Sequence, residues 1–133
     1  MSVLVTDAGF VPDDFTGQFA PVDEGTDCPL LAPDFDPAKI ADLVAKKPAA
    51  IAVDFPAFSD GRGFTLGQMI RRAGYNGRLR AHGHVIADQY AMARRVGFDE
   101  VEISDALAER QPPDQWLFRA DWKAHDYQSR MRG

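Results

Sequence analysis

The chain has 133 residues, 45% hydrophobic and 26% charged, with a net charge of −5, which is the composition of one globular domain rather than of a disordered or fibrous segment. A single cysteine, Cys28, excludes a disulfide framework, and the acidic balance argues against a nucleic-acid binder held by counterion release. The longest apolar run, Ala49 to Val53, is too short to span a membrane, and the first residues lack a basic and apolar leader, so a cytoplasmic protein is expected.

Residues 1–36 carry eight acids and no lysine or arginine, and they read as an acidic, irregular N-terminal segment. Within it, Val3-Leu4-Val5 and Phe10-Val11 flank Ala8-Gly9 as the arms of a small hairpin, and Cys28 to Leu31 suits a short strand. Asp36-Pro37 then sets an N-cap with proline at the first helical position, and Ile40, Leu43 and Val44 follow at helical spacing up to Pro48. Ala49 to Phe55, apolar except for Asp54, has the pattern of a strand buried on both faces. After the loop Pro56 to Phe64, Thr65-x-x-Gln68 forms a capping box with Phe64 and Met69 at the staple positions, and Gly74 closes that helix. Arg78 to His82 is the next strand, His84 to Val96 the next helix, and Val101 to Ile103 another strand. Ser104 caps a last helix through Ala108. Strands separated by single helices predict right-handed βαβ crossovers. The expected fold is therefore one α/β domain over 1–133, a small, mostly parallel sheet of successive βα units, half-barrel-like or open. Its C-terminal arm, 112–133, carries Trp116, Leu117, Phe118, Trp122 and Tyr127, aromatic and apolar groups that call for burial on the core or on a partner.

Residues 62–95 hold seven arginines against one acid, Asp88. Either the acidic segment folds back over this basic half, or two chains pair. Ligands of parallel sheets bind beyond the carboxyl ends of the strands. That rule selects Asp60, Gly61, Arg62 and Gly63 in one loop, then His82, His84 and Asp88, then Ser104-Asp105, with Arg62 and Arg80 able to face an anion. The competing reading makes Asp60–Arg62 and Arg80–Asp88 internal braces.

Sharper chemistries fit less well. Gly61-x-Gly63-x-x-x-Gly67 is off by one from a dinucleotide loop. His82-x-His84 with Asp88 has metal-compatible residue types, yet nothing fixes a third or fourth ligand. There is no G-x-S-x-G, and Cys28-Pro29 has no helix N-terminus to activate it. No cofactor and no metal are expected.

The ordered motifs Phe55-Pro56-x-Phe58-x-Asp60-Gly61-Arg62-Gly63-Phe64-Thr65, Gly77-x-Leu79-Arg80-Ala81-x-Gly83-x-Val85, Asp88-Gln89 and Arg95-x-Gly97-Phe98 resemble the bacterial domain of unknown function 934 family. The resemblance is dense over 50–103 and thinner from Ala120 to Gln128. It implies a family without an established activity whose members are commonly encoded beside assimilatory sulfite reductase. Two functions follow as expectations. The first is a non-catalytic accessory protein docking on sulfite reductase or another sulfur-assimilation enzyme. The second is a small enzyme or binding protein for an oxyanion such as sulfite, sulfate or a phosphorylated metabolite. Exposed sheet edges would favour a homodimer.

Overall fold

A computed structural model describes residues 2–12, 15, 17–21, 26–57, 59–111 and 114–116. Among them, seven strands form one open sheet: β1 (Ser2–Thr6), β2 (Gly9–Val11), β3 (Ala20–Pro21), β4 (Pro29–Leu31), β5 (Ala50–Phe55), β6 (Arg78–Gly83) and β7 (Glu100–Ser104). Their order in space is β2-β1-β7-β6-β5-β4-β3. Strands β3 to β7 are parallel neighbours in chain order, while β1 pairs antiparallel with both β7 and β2. Helices α1 (Ile40–Ala45), α2 (Arg62–Arg72) and α3 (Tyr90–Val96) make the crossovers from β4 to β7, and α4 (Asp105–Arg110) follows β7. Crossovers of one hand that all step in one direction lay their helices on one face of the sheet. The α/β class holds, and the sheet is open rather than barrel-like.

Local chemistry accounts for most boundaries. The Asp36 carboxylate accepts the Ala38 N–H at 3.0 Å, and Pro37 starts a 3-10 turn that runs into α1. Gly74 and Gly97 take φ of 99° and 117°, left-handed conformations that end α2 and α3. The Ser104 hydroxyl accepts the Leu107 N–H at 3.2 Å. Two helices start elsewhere than their sequence signals suggest. The Asp60 carboxylate accepts the Arg62 N–H at 3.1 Å, so α2 opens at Arg62 and the Thr65/Gln68 pair lies inside it. Between β6 and α3 a 3-10 turn, Ala87–Gln89, intervenes, with the Gln89 side chain accepting the Ile86 N–H at 3.1 Å, so α3 begins only at Tyr90. In the N-terminal segment the expected hairpin is β1 with β2 and the expected short strand is β4; what the sequence did not indicate is β3 and the pairing of β1 with β7.

Strand alternation divides the sheet into two unlike faces. Ile51, Val53 and Phe55 of β5, Leu79 and Ala81 of β6, and Val101 and Ile103 of β7 pack with Leu43, Leu66, Ile70, Tyr90 and Ala93 in one buried cluster. Each large apolar side chain so buried contributes about 1.5–3 kcal/mol. Trp116 joins this core, fully buried, with its indole N–H donated to the Gln111 carbonyl at 2.9 Å and its ring edge-on to Tyr90 at 6.0 Å. Leu117, Phe118, Trp122 and Tyr127 lie outside the described residues. The edge strands are short, three residues in β2 and two in β3. They blunt the edge argument for pairing two copies. No helix among the described residues is long and apolar enough to cross a membrane.

Candidate functional site

The face of the sheet away from the helices carries charge. In register across β5, β6 and β7 lie Ala52, Arg80 and Glu100, and one step further along lie Asp54, His82 and Glu102. Arg80, only 2% exposed, donates from Nε to Glu100 at 2.6 Å and from a terminal nitrogen to Glu102 at 2.9 Å. Arg78 donates from Nε to the other Glu100 oxygen at 2.8 Å. His82 stands between two carboxylates, Nδ1 at 3.3 Å from Asp54 and Nε2 at 3.7 Å from Glu102. The row at Asp54 and His82 is the more open, at 38% and 42% side-chain exposure. It sits at the carboxyl ends of parallel strands, the usual place for ligands in such sheets.

On this face sit Phe15 and Phe19, which lie between β2 and β3 in the chain. Phe15 and Phe19 stack at 5.0 Å and cover the guanidiniums beneath: Arg80 lies 5.6 and 5.1 Å from their ring centres, and Arg78 lies 5.3 Å from Phe15. Cations on aromatic faces gain attraction when water is excluded. Two hollows lie on this face. One, of about 340 Å³, is walled by Phe15, Phe19, Leu30 and Ala52 and reaches Arg80, His82 and Glu102. The other, of about 540 Å³, lies over Leu4, Thr6, Val11, Arg78 and Glu100.

The family model described as Bacterial protein of unknown function (DUF934) matches residues 30–133. The chain belongs to that family. No curated protein and no solved structure matches it. In this DUF934 chain the matched residues include β5 to β7 and so the whole charged ladder, whereas Phe15 and Phe19 precede the match.

The residues singled out in the sequence do not gather in one place. Arg80 and His82 meet on the sheet face, with Asp54, Glu100 and Glu102 as neighbours that sequence spacing did not reveal. Asp60 and Arg62 form a two-pronged pair at 3.0 and 2.7 Å in the loop before α2. Bonds from the Arg62 side chain and backbone hold the Asp60 carboxyl below the usual range, and the same pairing raises Arg62. Gly61 caps α2 with open space around it, but Gly63 is buried under the Phe55 ring. Thus the lack of a side chain at Gly63 is what lets the Phe55 ring pack against it. His84 is exposed, with Nδ1 at 3.1 Å from the Phe55 carbonyl, and Asp88 is exposed in the 3-10 turn. Among the described residues, no three His, Cys, Asp or Glu side chains converge as a metal centre.

The remaining arginines of the basic stretch show where its charge goes. Arg71 pairs with Asp99 at 2.9 Å and Arg94 with Asp7 at 3.2 Å. The second contact is the expected fold-back of the acidic N-terminal segment. Among the described residues, Asp60 and the run Asp99 to Glu102 supply further acids. Asp7 also accepts the buried Tyr90 hydroxyl, which joins the β1–β2 turn to α3. Burial, reinforced by Asp27, pushes the Cys28 thiol up, the reverse of nucleophile activation.

Proposed function

We propose that the chain is a non-catalytic accessory protein of sulfite reduction that docks on sulfite reductase, or on a neighbouring sulfur-assimilation enzyme, through the outer side of α2 and α3. The carrying observation is the disposition of the arginines. Arg80 is held by two glutamates under a pair of rings, and Arg62 is held by Asp60, so the anion pocket expected of them is already occupied by carboxylates. Glu102 in the hollow beside Arg80 adds repulsion toward sulfite or sulfate. On the outer helices Arg72 and Arg95 are exposed to solvent. Met92 is 49% exposed there, the large apolar residue most open to solvent among those described. The last turns of α2 and α3 adjoin, since Arg71 donates to the Gly97 carbonyl at 2.8 Å. Exposed arginine with an apolar anchor is a common interface composition. The family's genetic neighbourhood supplies the kind of partner.

The test is affinity purification of the tagged full chain from sulfate-grown cells, wild type beside the double variant Arg72→Glu/Arg95→Glu. Sulfite reductase should co-elute with wild type and be lost from the variant, whose fold is checked by circular dichroism. Equal recovery from both would remove this surface, and recovery from neither would remove the accessory role.

A further inference from the structure

We propose that the hollow beside Phe15 and Phe19 is a binding site for a small, flat, uncharged aromatic heterocycle, with its ring against the two phenylalanines and its N–H donated to Oε2 of Glu102. This site lies on the opposite face of the sheet from the helices and is independent of the docking surface there.

The space originates in β5. Leu30, Ala52 and Arg80 are Cα partners across β4, β5 and β6, so their side chains leave the sheet on one face in a row. The middle one ends at Cβ and leaves a gap between two longer neighbours. That gap opens into the hollow of about 340 Å³, and small-ligand sites usually measure about 300–1,000 Å³. Toward His82 and Glu102 it reaches the carboxyl ends of the parallel strands, where ligands of such sheets bind. Phe15, Phe19, Leu30 and Ala52 give it apolar walls. A third ring set against the two phenylalanines, offset or edge-on, gains attraction beyond the area it buries.

The polar end is arranged in advance. One Glu102 oxygen accepts from Arg80 at 2.9 Å, and Arg80, itself 2% exposed, is held on its other side by Glu100 at 2.6 Å. Glu102 is therefore fixed in direction. Its second oxygen, Oε2, has one contact among the described residues, Nε2 of His82 at 3.7 Å. A carboxylate oxygen accepts more than one hydrogen bond, so Oε2 takes a ligand N–H whichever protons His82 carries. A buried ion pair of this kind stabilises a fold little better than apolar packing would. What it does here is hold an acceptor at the edge of an apolar hollow.

Charge narrows the class. Among the described residues, the two guanidiniums of Arg78 and Arg80 face the three carboxylates of Asp54, Glu100 and Glu102. That leaves one negative charge, or none with a proton added to His82. Both guanidiniums already have carboxylate partners, and Glu102 repels a ligand anion. A ligand cation would meet one surplus charge at most. An uncharged ring with an N–H at its edge matches either state.

The experiment titrates the isotope-labelled full chain with indole, followed by calorimetry and by backbone amide shifts. One indole per chain should bind, with the largest shifts at Leu30, Ala52 and Glu102. N-methylindole, which keeps the rings and lacks the N–H, should bind about tenfold more weakly. The anion indoleacetate and the cation tryptamine should bind no more tightly than indole. Ala52→Leu, which fills the gap, should abolish binding, with its fold checked by circular dichroism; the probe series on wild type tests the site without any variant. Absence of heat and of amide shifts up to millimolar indole would overturn the proposal, as would shifts centred on other residues or equal binding of indole and N-methylindole. Tighter binding of tryptamine or of indoleacetate would overturn it too, by making the ligand a charged one, and so would undiminished binding by folded Ala52→Leu.

Discussion

Gly63→Ala tests whether the loop before α2 is built around packing or around a ligand. A Cβ on Gly63 would sit 2.5, 2.7 and 2.8 Å from three atoms of the Phe55 ring, well inside contact distance. That ring cannot step aside freely: Phe55 is 1% exposed and lies 4.9 Å from the Phe64 ring and 5.8 Å from that of Phe98. Overpacking of this kind costs up to about 3 kcal/mol. The better helix propensity of alanine returns about 1 kcal/mol. The net loss is about 2 kcal/mol, which for a domain of this size lowers Tm by roughly 7 °C. Gly61→Ala is the control. With open space around it and φ of −85°, it should shift stability by less than about 0.5 kcal/mol. Urea unfolding of both variants, with the m-value unchanged, measures the difference. A Gly63→Ala protein as stable as wild type, or a Gly61→Ala protein that is the weaker of the two, would refute the packing argument.

Glu100→Gln should cost about 3–5 kcal/mol, because it leaves Arg78 and Arg80 without the carboxylate that joins them while Arg80 stays buried. The double variant Arg80→Met/Glu100→Gln should lose less than the sum of the single losses, read from a denaturant double-mutant cycle. Alkaline pH gives a second signature. Burial pushes the Tyr75 hydroxyl up to about 12, and burial together with the Asp7 hydrogen bond raises Tyr90 further still. A phenol whose folded pKa exceeds its unfolded value, about 10, stabilises the fold fully below that pH and loses its contribution as pH rises through the folded value. Stability should therefore fall from about pH 10 to pH 12, with tyrosinate absorbance rising together with unfolding. Free titration of Tyr75 and Tyr90 near pH 10 in the folded chain would contradict this.

The central βα units were legible because their signals are local. Asp36-Pro37, Ser104, Gly74 and Gly97 each act within a few residues, and the apolar run of β5 is continuous. The β1–β2 hairpin and β4 were legible for the same reason, but their places in the sheet were not, since those partners are distant: Val5 pairs with Val101 and Leu30 with Ala52. The start of α2 was misplaced because two capping patterns compete, and the Asp60 turn comes first in the chain. The period-two spacing in Arg78-x-Arg80-x-His82 and Glu100-x-Glu102 already put each set of charges on one face. Which acid meets which base depends on strand register, and register is invisible until β6 is laid beside β7. Hence spacing alone offers Arg80 an anion or Asp88 and offers His82 the neighbouring His84, whereas both look across to glutamates.

The antiparallel junction of β1 with β7 has a consequence for synthesis. As the chain leaves the ribosome, β1 emerges well before residues 100–104, the strand whose backbone it needs. Until then it has only the three-residue β2 for company, and an isolated two-stranded hairpin is marginal in water. The parallel strands β4 to β6 can assemble meanwhile, helix by helix. One side of the growing sheet stays without a neighbour until β7 arrives and β1 docks on it. Closure thus comes late and joins the two most separated parts of the strand series, the kind of contact that slows folding and leaves nascent strands open to association with other chains.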